Sequence, residues 1–264
     1  LRLARVVAAV SPRSLWSLGF EQLYIDQPEL DIRRAADGRI TIAGLDFSSA
    51  QGQDNRAADW FFSQSELVIH NGTVRWTDEQ RAAAPLALRE VSFVARNSVR
   101  RHALRLQATP PAQWGGPFSV SALFRQPLLS ADAGRWQDWS GTVFADFARV
   151  DVSQLQRYVN VGFELTEGQG ALRAWAEVRK GEVVNASADV ALTGVLARLK
   201  PDLAPLGLRN ITGRLAGRLL PGGFEFSTQA LQFDTNEGLR WPGGNVFVSY
   251  VDTTASAGNA KGEL

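Results

Sequence analysis

His70 and His102 are the only histidines in the chain, and no cysteine accompanies them. Neither has the His-x-x-x-His or Cys spacing that builds a zinc site. His70 stands beside an Asn-Gly pair and His102 opens an alternating run, so both read as ordinary surface or capping histidines. A serine hydrolase would need one of them beside a nucleophile on a strained turn, and the Gly-x-Ser-x-Gly signature is absent. Paired carboxylates are the remaining catalytic option, as in glycosidases. Asp138 with Asp146 and Asp26 with Asp31 are the candidates, but Asp146 lies on the polar parity of its run and Asp138 in a loop, where carboxylates are solvated.

Two further groups are capable of binding rather than catalysis. Arg96, Arg100, Arg101 and Arg105 form the one local basic cluster, which can contact phosphate head groups or simply decorate a turn. Trp114, Trp136, Trp139 and Trp241 lie near turns, positions that suit sugar stacking or the packing of loops over a sheet edge, with packing preferred. Without cysteine there are no disulfides, zinc-thiolate sites or thiol nucleophiles, and no cofactor is expected. A net charge of +1 gives no global attraction to nucleic acid. The expected product is a surface, not an enzyme.

The elements that must carry this surface are strands. Apolar and polar residues alternate with period two, which means a sheet with one apolar and one wet face. Leu23, Ile25, Leu30 and Ile32 form two short runs separated by Pro28, which marks a strand crossing or bulge. Asp37-Gly38 turns the chain into Ile40–Ile42, and His70-Asn71-Gly72 is read as a second hairpin turn. Residues 86–95, 102–108, 118–124 and 142–147 alternate in turn, each keeping its apolar parity. Strands are also expected at 171–178, 184–192, 211–219, 224–227, 230–233 and 245–250. Short helices are expected at 57–64, at 151–158 with Val152, Leu155 and Val159 on one side, and at 196–203. Gly213 and Gly217 fit a bend or close backbone approach in a strand better than a membrane-helix motif. Alternating βαβ order is missing, so the default is an antiparallel meander.

Several strings carry a likeness. They are Ile25-Asp-Gln-Pro-Glu-Leu-Asp-Ile-Arg-Arg followed by Asp37-Gly-Arg-Ile, then Ala58-Asp-Trp, Ile69-His-Asn-Gly-Thr-Val-Arg-Trp-Thr-Asp, Leu88-Arg-Glu-Val and Phe144-Ala-Asp-Phe-Ala-Arg-Val-Asp-Val-Ser-Gln-Leu. In this order, from about residue 15 to about residue 250, they resemble the YhdP branch of the AsmA-like proteins of Gram-negative envelopes. The resemblance implies a long periplasmic protein, anchored in the inner membrane by an N-terminal helix, whose antiparallel strands curl into an open groove. It implies phospholipid transport between inner and outer membranes, with acyl chains as the partners.

The resulting expectation is a mainly β chain: a long curved antiparallel meander forming an open hydrophobic groove, with a few short helices. Residues 1–252 would be a single continuous segment of an elongated groove, and 253–264 a frayed polar tail. The chain starts at Leu1 and contains no Met, so it is read as a piece whose membrane anchor and remaining groove lie elsewhere. Val91, Phe93, Leu104, Leu106, Val120, Phe124, Val143 and Phe147 are the expected groove lining. Periodicity alone does not separate such a groove from a closed β-sandwich scaffold, and a carbohydrate-binding β-protein is the third alternative.

Overall fold

A computed structural model of the protein describes residues 2–10, 20–47, 56–128, 134–158 and 164–251. The opening strands are β1 (Arg5–Ala9), β2 (Gln22–Asp26), β3 (Glu29–Arg34), β4 (Ile40–Ile42) and β5 (Leu45–Asp46), followed by helix α1 (Arg56–Ser63). Longer strands follow: β6 (Glu66–Asp78), β7 (Ala83–Asn97), β8 (Arg101–Thr109), β9 (Phe118–Arg125) and β10 (Ser140–Asp151). After the short helix α2 (Val152–Gln156) come β11 (Glu164–Arg179), β12 (Glu182–Arg198), β13 (Leu206–Leu220), β14 (Gly223–Thr235), β15 (Arg240–Trp241) and β16 (Phe247–Val251). All belong to one sheet, in which β6 to β14 lie in sequence order, each antiparallel to the next. The sheet does not close: β5 ends one side, and β15 and β16 flank β14 at the other.

The meander is not antiparallel throughout. Strands β2 and β3 run parallel to the two halves of β6. The chain leaves β3 through the β4 hairpin and returns by way of α1, and such a crossover delivers β6 in the same direction as its neighbours. Two other expectations are also corrected. His70-Asn71-Gly72 is not a hairpin turn but lies within continuous strand β6, where the register with β7 shifts between Ile69 and Gly72. Residues 196–203 are not helical, because Val195 and Ala197 extend the apolar face of β12 opposite Leu208 and Leu206 of β13. The hairpins at Gly38 and at Lys180-Gly181 do form, the last with φ of 51° and 75° as a two-residue turn between right-twisted strands requires. Val159 and the tail at 253–264 lie outside the described residues.

A line of bulges crosses the sheet. Left-handed backbone occurs at Gln27 before the buried Pro28, at Asn71 in β6, Glu90 in β7, Gly168 in β11, Gly194 in β12, Gly213 in β13 and Ala230 in β14. The ladder slips register near these points and between Phe147 and Val150 of β10. Each bulge inserts one residue, bends its strand and increases the local twist. It also resets the alternation. On β12 the apolar set passes from Val190 and Leu192 to Val195 and Ala197, and on β7 from Leu86 and Leu88 to Val91, Phe93 and Ala95. Gly170 lies in this line with φ +153°, where an added Cβ would stand 2.1 Å from the Ala191 carbonyl oxygen.

Helices cap the apolar face at two places. Asp151 accepts hydrogen bonds from the backbone N and Oγ of Ser153 and starts α2, whose Val152 and Leu155 pack with Val190, Leu192 and Val195. Helix α1 lays Phe61 near Phe93 at 6.4 Å, while Phe62 meets Trp139 at 4.7 Å between ring centres. Trp139 stacks on His102 at 3.9 Å with rings 4° from parallel, and Asp59 of α1 accepts from the Gly134 backbone N. His102 is therefore not a surface histidine: it is 1 % exposed and its Nδ1 is 2.9 Å from Asn97 Oδ1. Burial pushes its imidazole below the ordinary value, and a hydrogen bond with Gln126 opposes this in part. Among the described residues no helix is long and apolar enough to cross a membrane.

Two predictions follow from this architecture. Gly170→Ala should lower the unfolding free energy by about 2 kcal/mol or more, because backbone must move to admit the methyl group. Gly194→Ala should cost only about 1 kcal/mol, since its added Cβ meets nothing within 4 Å and only the left-handed φ opposes it. Equal midpoint shifts in urea would contradict this ordering. His102 stays neutral in the fold while the unfolded chain takes up a proton below about pH 6.5, so its contribution is complete above that pH and falls away on acidification. Urea titrations between about pH 7 and about pH 5.5, above the carboxylate range, should show declining stability for the native chain and a flatter profile for His102→Phe.

Candidate functional site

The register places the apolar residues of successive strands in rows. Phe93, Leu106, Val120, Ala145, Ala174, Ala188 and Leu215 stand opposite one another from β7 to β13. The next row is Ala95, Leu104, Ala122, Val143, Ala176, Ala186 and Gly217. Directly paired residues project to the same side of a sheet, so both rows belong to one face. On the side toward the bulge line they are bordered by Ala108, Phe118, Phe147, Leu172 and Val190. On the other side stand His102, Phe124, Gly141 and Val178.

All eight expected lining residues fall on this face. Phe93, Leu104, Leu106, Val120, Phe124, Val143 and Phe147 are half-buried, neither sealed nor fully exposed. Val91 differs, being 2 % exposed and packed with Val74 and Ala108 beside the bulges. The sequence reading stopped at Phe147 and missed the continuation on β11 to β14. There the lining turns to alanine, at 174, 176, 186 and 188, before Leu215 and Phe226. The same parity was available in the sequence, but alanine contrasts weakly with the serines and glycines around it. Toward β14 and β16 the apolar face opens fully: Leu219 is 65 % exposed, and Phe224 and Tyr250 are exposed neighbours with ring centres 5.9 Å apart.

The opposite face is built from charge pairs. Asp146, Arg173, Asp189 and Arg214 stand opposite one another across β10 to β13, with Asp146–Arg173 at 3.6 Å and Asp189–Arg214 at 2.5 Å. The hydrogen bond from Arg214 holds the Asp189 carboxyl below its usual range. Arg214 also lies over the Trp175 ring at 5.1 Å, and Trp175 leans on Phe144 at 5.2 Å. Exposed pairs of this kind add little stability each, but their alternation makes this face the wet one.

The candidate catalytic groups are dispersed into such pairs. Asp146 is held by Arg173, Asp138 is 3.8 Å from Arg135, Asp31 is 3.8 Å from Arg75, and Asp26 meets His70 at 2.9 Å. No group of three or more His, Cys, Asp or Glu among the described residues is arranged to hold a metal ion. Of the turn tryptophans, Trp139 is buried against His102, Trp114 leans on Tyr158 at 5.1 Å, and Trp241 stacks on Phe233 at 6.1 Å. Trp139 serves packing, while Trp241 remains exposed beside its partner. What the arrangement offers chemically is a continuous apolar strip, free of fixed hydrogen-bonding groups over its two central rows and backed by a charged face.

Comparison with known proteins agrees with the likeness read from the strings. A family model described as YhdP protein matches residues 1–262. No curated protein and no solved structure gives a match. With nearly its whole length matched, the chain belongs to the YhdP protein family.

Proposed function

We propose that this segment shields phospholipid acyl chains along its apolar face, as part of a non-enzymatic route between the inner and outer membranes in the periplasm. One observation carries the reading: the two central rows run from β7 to β13 in a single open sheet, and no second sheet among the described residues covers them. In a β-sandwich this face would be buried on a facing layer. Here Leu106, Val120 and Val143 are half-buried rather than sealed, while Ala95 and Ala122 of the same rows are buried. Family membership supports the same reading.

The energetics suit a chain that must be held and released. Each methylene removed from water contributes about 0.8 kcal/mol, so half a dozen contribute about 5 kcal/mol without any directional contact. The small side chains at 145, 174, 176, 186 and 188 keep this stretch of the face low, which suits a hydrocarbon tail laid along it. A head group needs no pocket in this arrangement, because it stays in water at the open side.

A photo-crosslinking lipid tests the proposal directly. Crosslinks should concentrate at Leu106, Val120 and Val143 and be several-fold weaker at Arg105 and Ser119, on the opposite face. Equal labelling of the two faces would overturn it. Val120→Asp should reduce phospholipid recovered by native mass spectrometry at least several-fold, because a carboxylate on this strip carries a desolvation cost. An unchanged urea midpoint for that variant would separate loss of binding from loss of fold.

A further inference from the structure

Among the described residues the charged face has a break in its pairing on two adjacent strands. Strands β8 and β9 contain no Asp or Glu, yet both carry arginine on the outer side. Arg101 and Arg125 stand directly opposite each other in the ladder. Like charges in that position repel. Both are exposed, and neither has a hydrogen-bond or ion-pair partner for its guanidinium among the described residues. Arg105, two residues along on the same side, has none either. Several arginines of other strands are paired: Arg96 is held by Glu66 at 2.7 Å, and Arg173 and Arg214 by the carboxylates beside them.

The unpaired arginines border a depression of about 510 Å³ at the ends of β7 to β10. Arg96, Ser98, Arg101, Arg125, Ser140 and Thr142 are among its lining. Arg100 does not compete for that space, because its guanidinium donates twice to the Gln126 carbonyl, at 3.1 and 2.9 Å. Two arginines paired across the ladder, with no carboxylate partner among the described residues, beside the hydroxyls of Ser140 and Thr142, make a setting for a tetrahedral oxyanion. Guanidinium binds phosphate in bidentate fashion, and hydroxyls supply further donors.

We propose that the Arg101–Arg125 pair is a phosphate-binding site on the outer face, which takes a phosphate ester, either a phospholipid head group or a soluble organophosphate. Arg101 and Arg125 project to the side opposite Phe124 and His102, although the depression at the strand ends reaches those two residues at the border of the acyl-chain strip. An anion seated there removes the repulsion between the two strands. Binding therefore stabilises the fold as well as the complex.

The test compares the native chain with Arg101→Gln/Arg125→Gln. At low salt, binding to phosphatidylglycerol vesicles should weaken roughly 10- to 30-fold in the double variant. Binding to phosphatidylcholine vesicles of the same acyl composition, whose phosphate is neutralised by choline, should weaken far less. In parallel, glycerol phosphate should raise the melting temperature of the native chain more than chloride at equal ionic strength does, and should not do so for the variant. A response to vesicles alone assigns the site to a head group; a response to glycerol phosphate assigns it to soluble esters as well. If the double variant behaves as the native chain in both assays, the site does not exist. Because the variant leaves the apolar face intact, its crosslinking to lipid at Val120 should persist, so failure here is distinguishable from failure of the acyl-chain proposal.

Discussion

The structure depends on keeping one face apolar across strands that bend. Strict period-two alternation cannot survive a bend, because each inserted residue would send every later side chain to the wrong side. The chain meets this by slipping its own pattern where each bulge falls. Leu67 and Ile69 give way to Val74 and Trp76 across Asn71-Gly72, and Leu208 gives way to Ile211, Leu215 and Leu219 on β13. The slip in sequence and the bulge in backbone cancel. The same device on β2–β3 uses Gln27 in the left-handed region and a buried Pro28 that needs no donor partner.

A single-layer sheet of this size must also satisfy its second face. Here the outer side carries ion pairs between neighbouring strands, whose charges stay in water. That arrangement leaves the inner side free to stay partly uncovered. The caps by α1 with Trp139 and by α2 close only parts of the apolar surface, near β7 to β10 and near β10 to β13. What remains between and beyond them is the strip.

The strand order and face assignment from β7 to β10 were legible in the sequence because alternation is a local signal. The errors arose at the phase slips. Asn71-Gly72 between β-branched residues has the composition of a hairpin turn, yet the residues on either side pair with one and the same neighbour, β7, which makes it a bulge. Residues 224–227 and 230–233 were divided for the same reason, although Ala230 is only a bulge within β14. Parallel pairing of β2 and β3 with β6 is a long-range choice that no local pattern records. His102 was misplaced because its burial comes from Phe62 of α1 and from Trp139 just before β10, both remote in sequence.

The alanines fit a strip that stays open instead of closing on itself. Leu or Phe at 145, 174, 176, 186 and 188 would bury more apolar area and gain stability, at about 25 cal/mol per Å². Small side chains forgo that stabilisation, which suits the proposed shielding of an acyl chain. The two central rows also present no polar group over their length, so a hydrocarbon displaced by one strand spacing exchanges one set of nonspecific contacts for a similar one. No single position then holds it more firmly than the next, which is the condition for movement along the sheet.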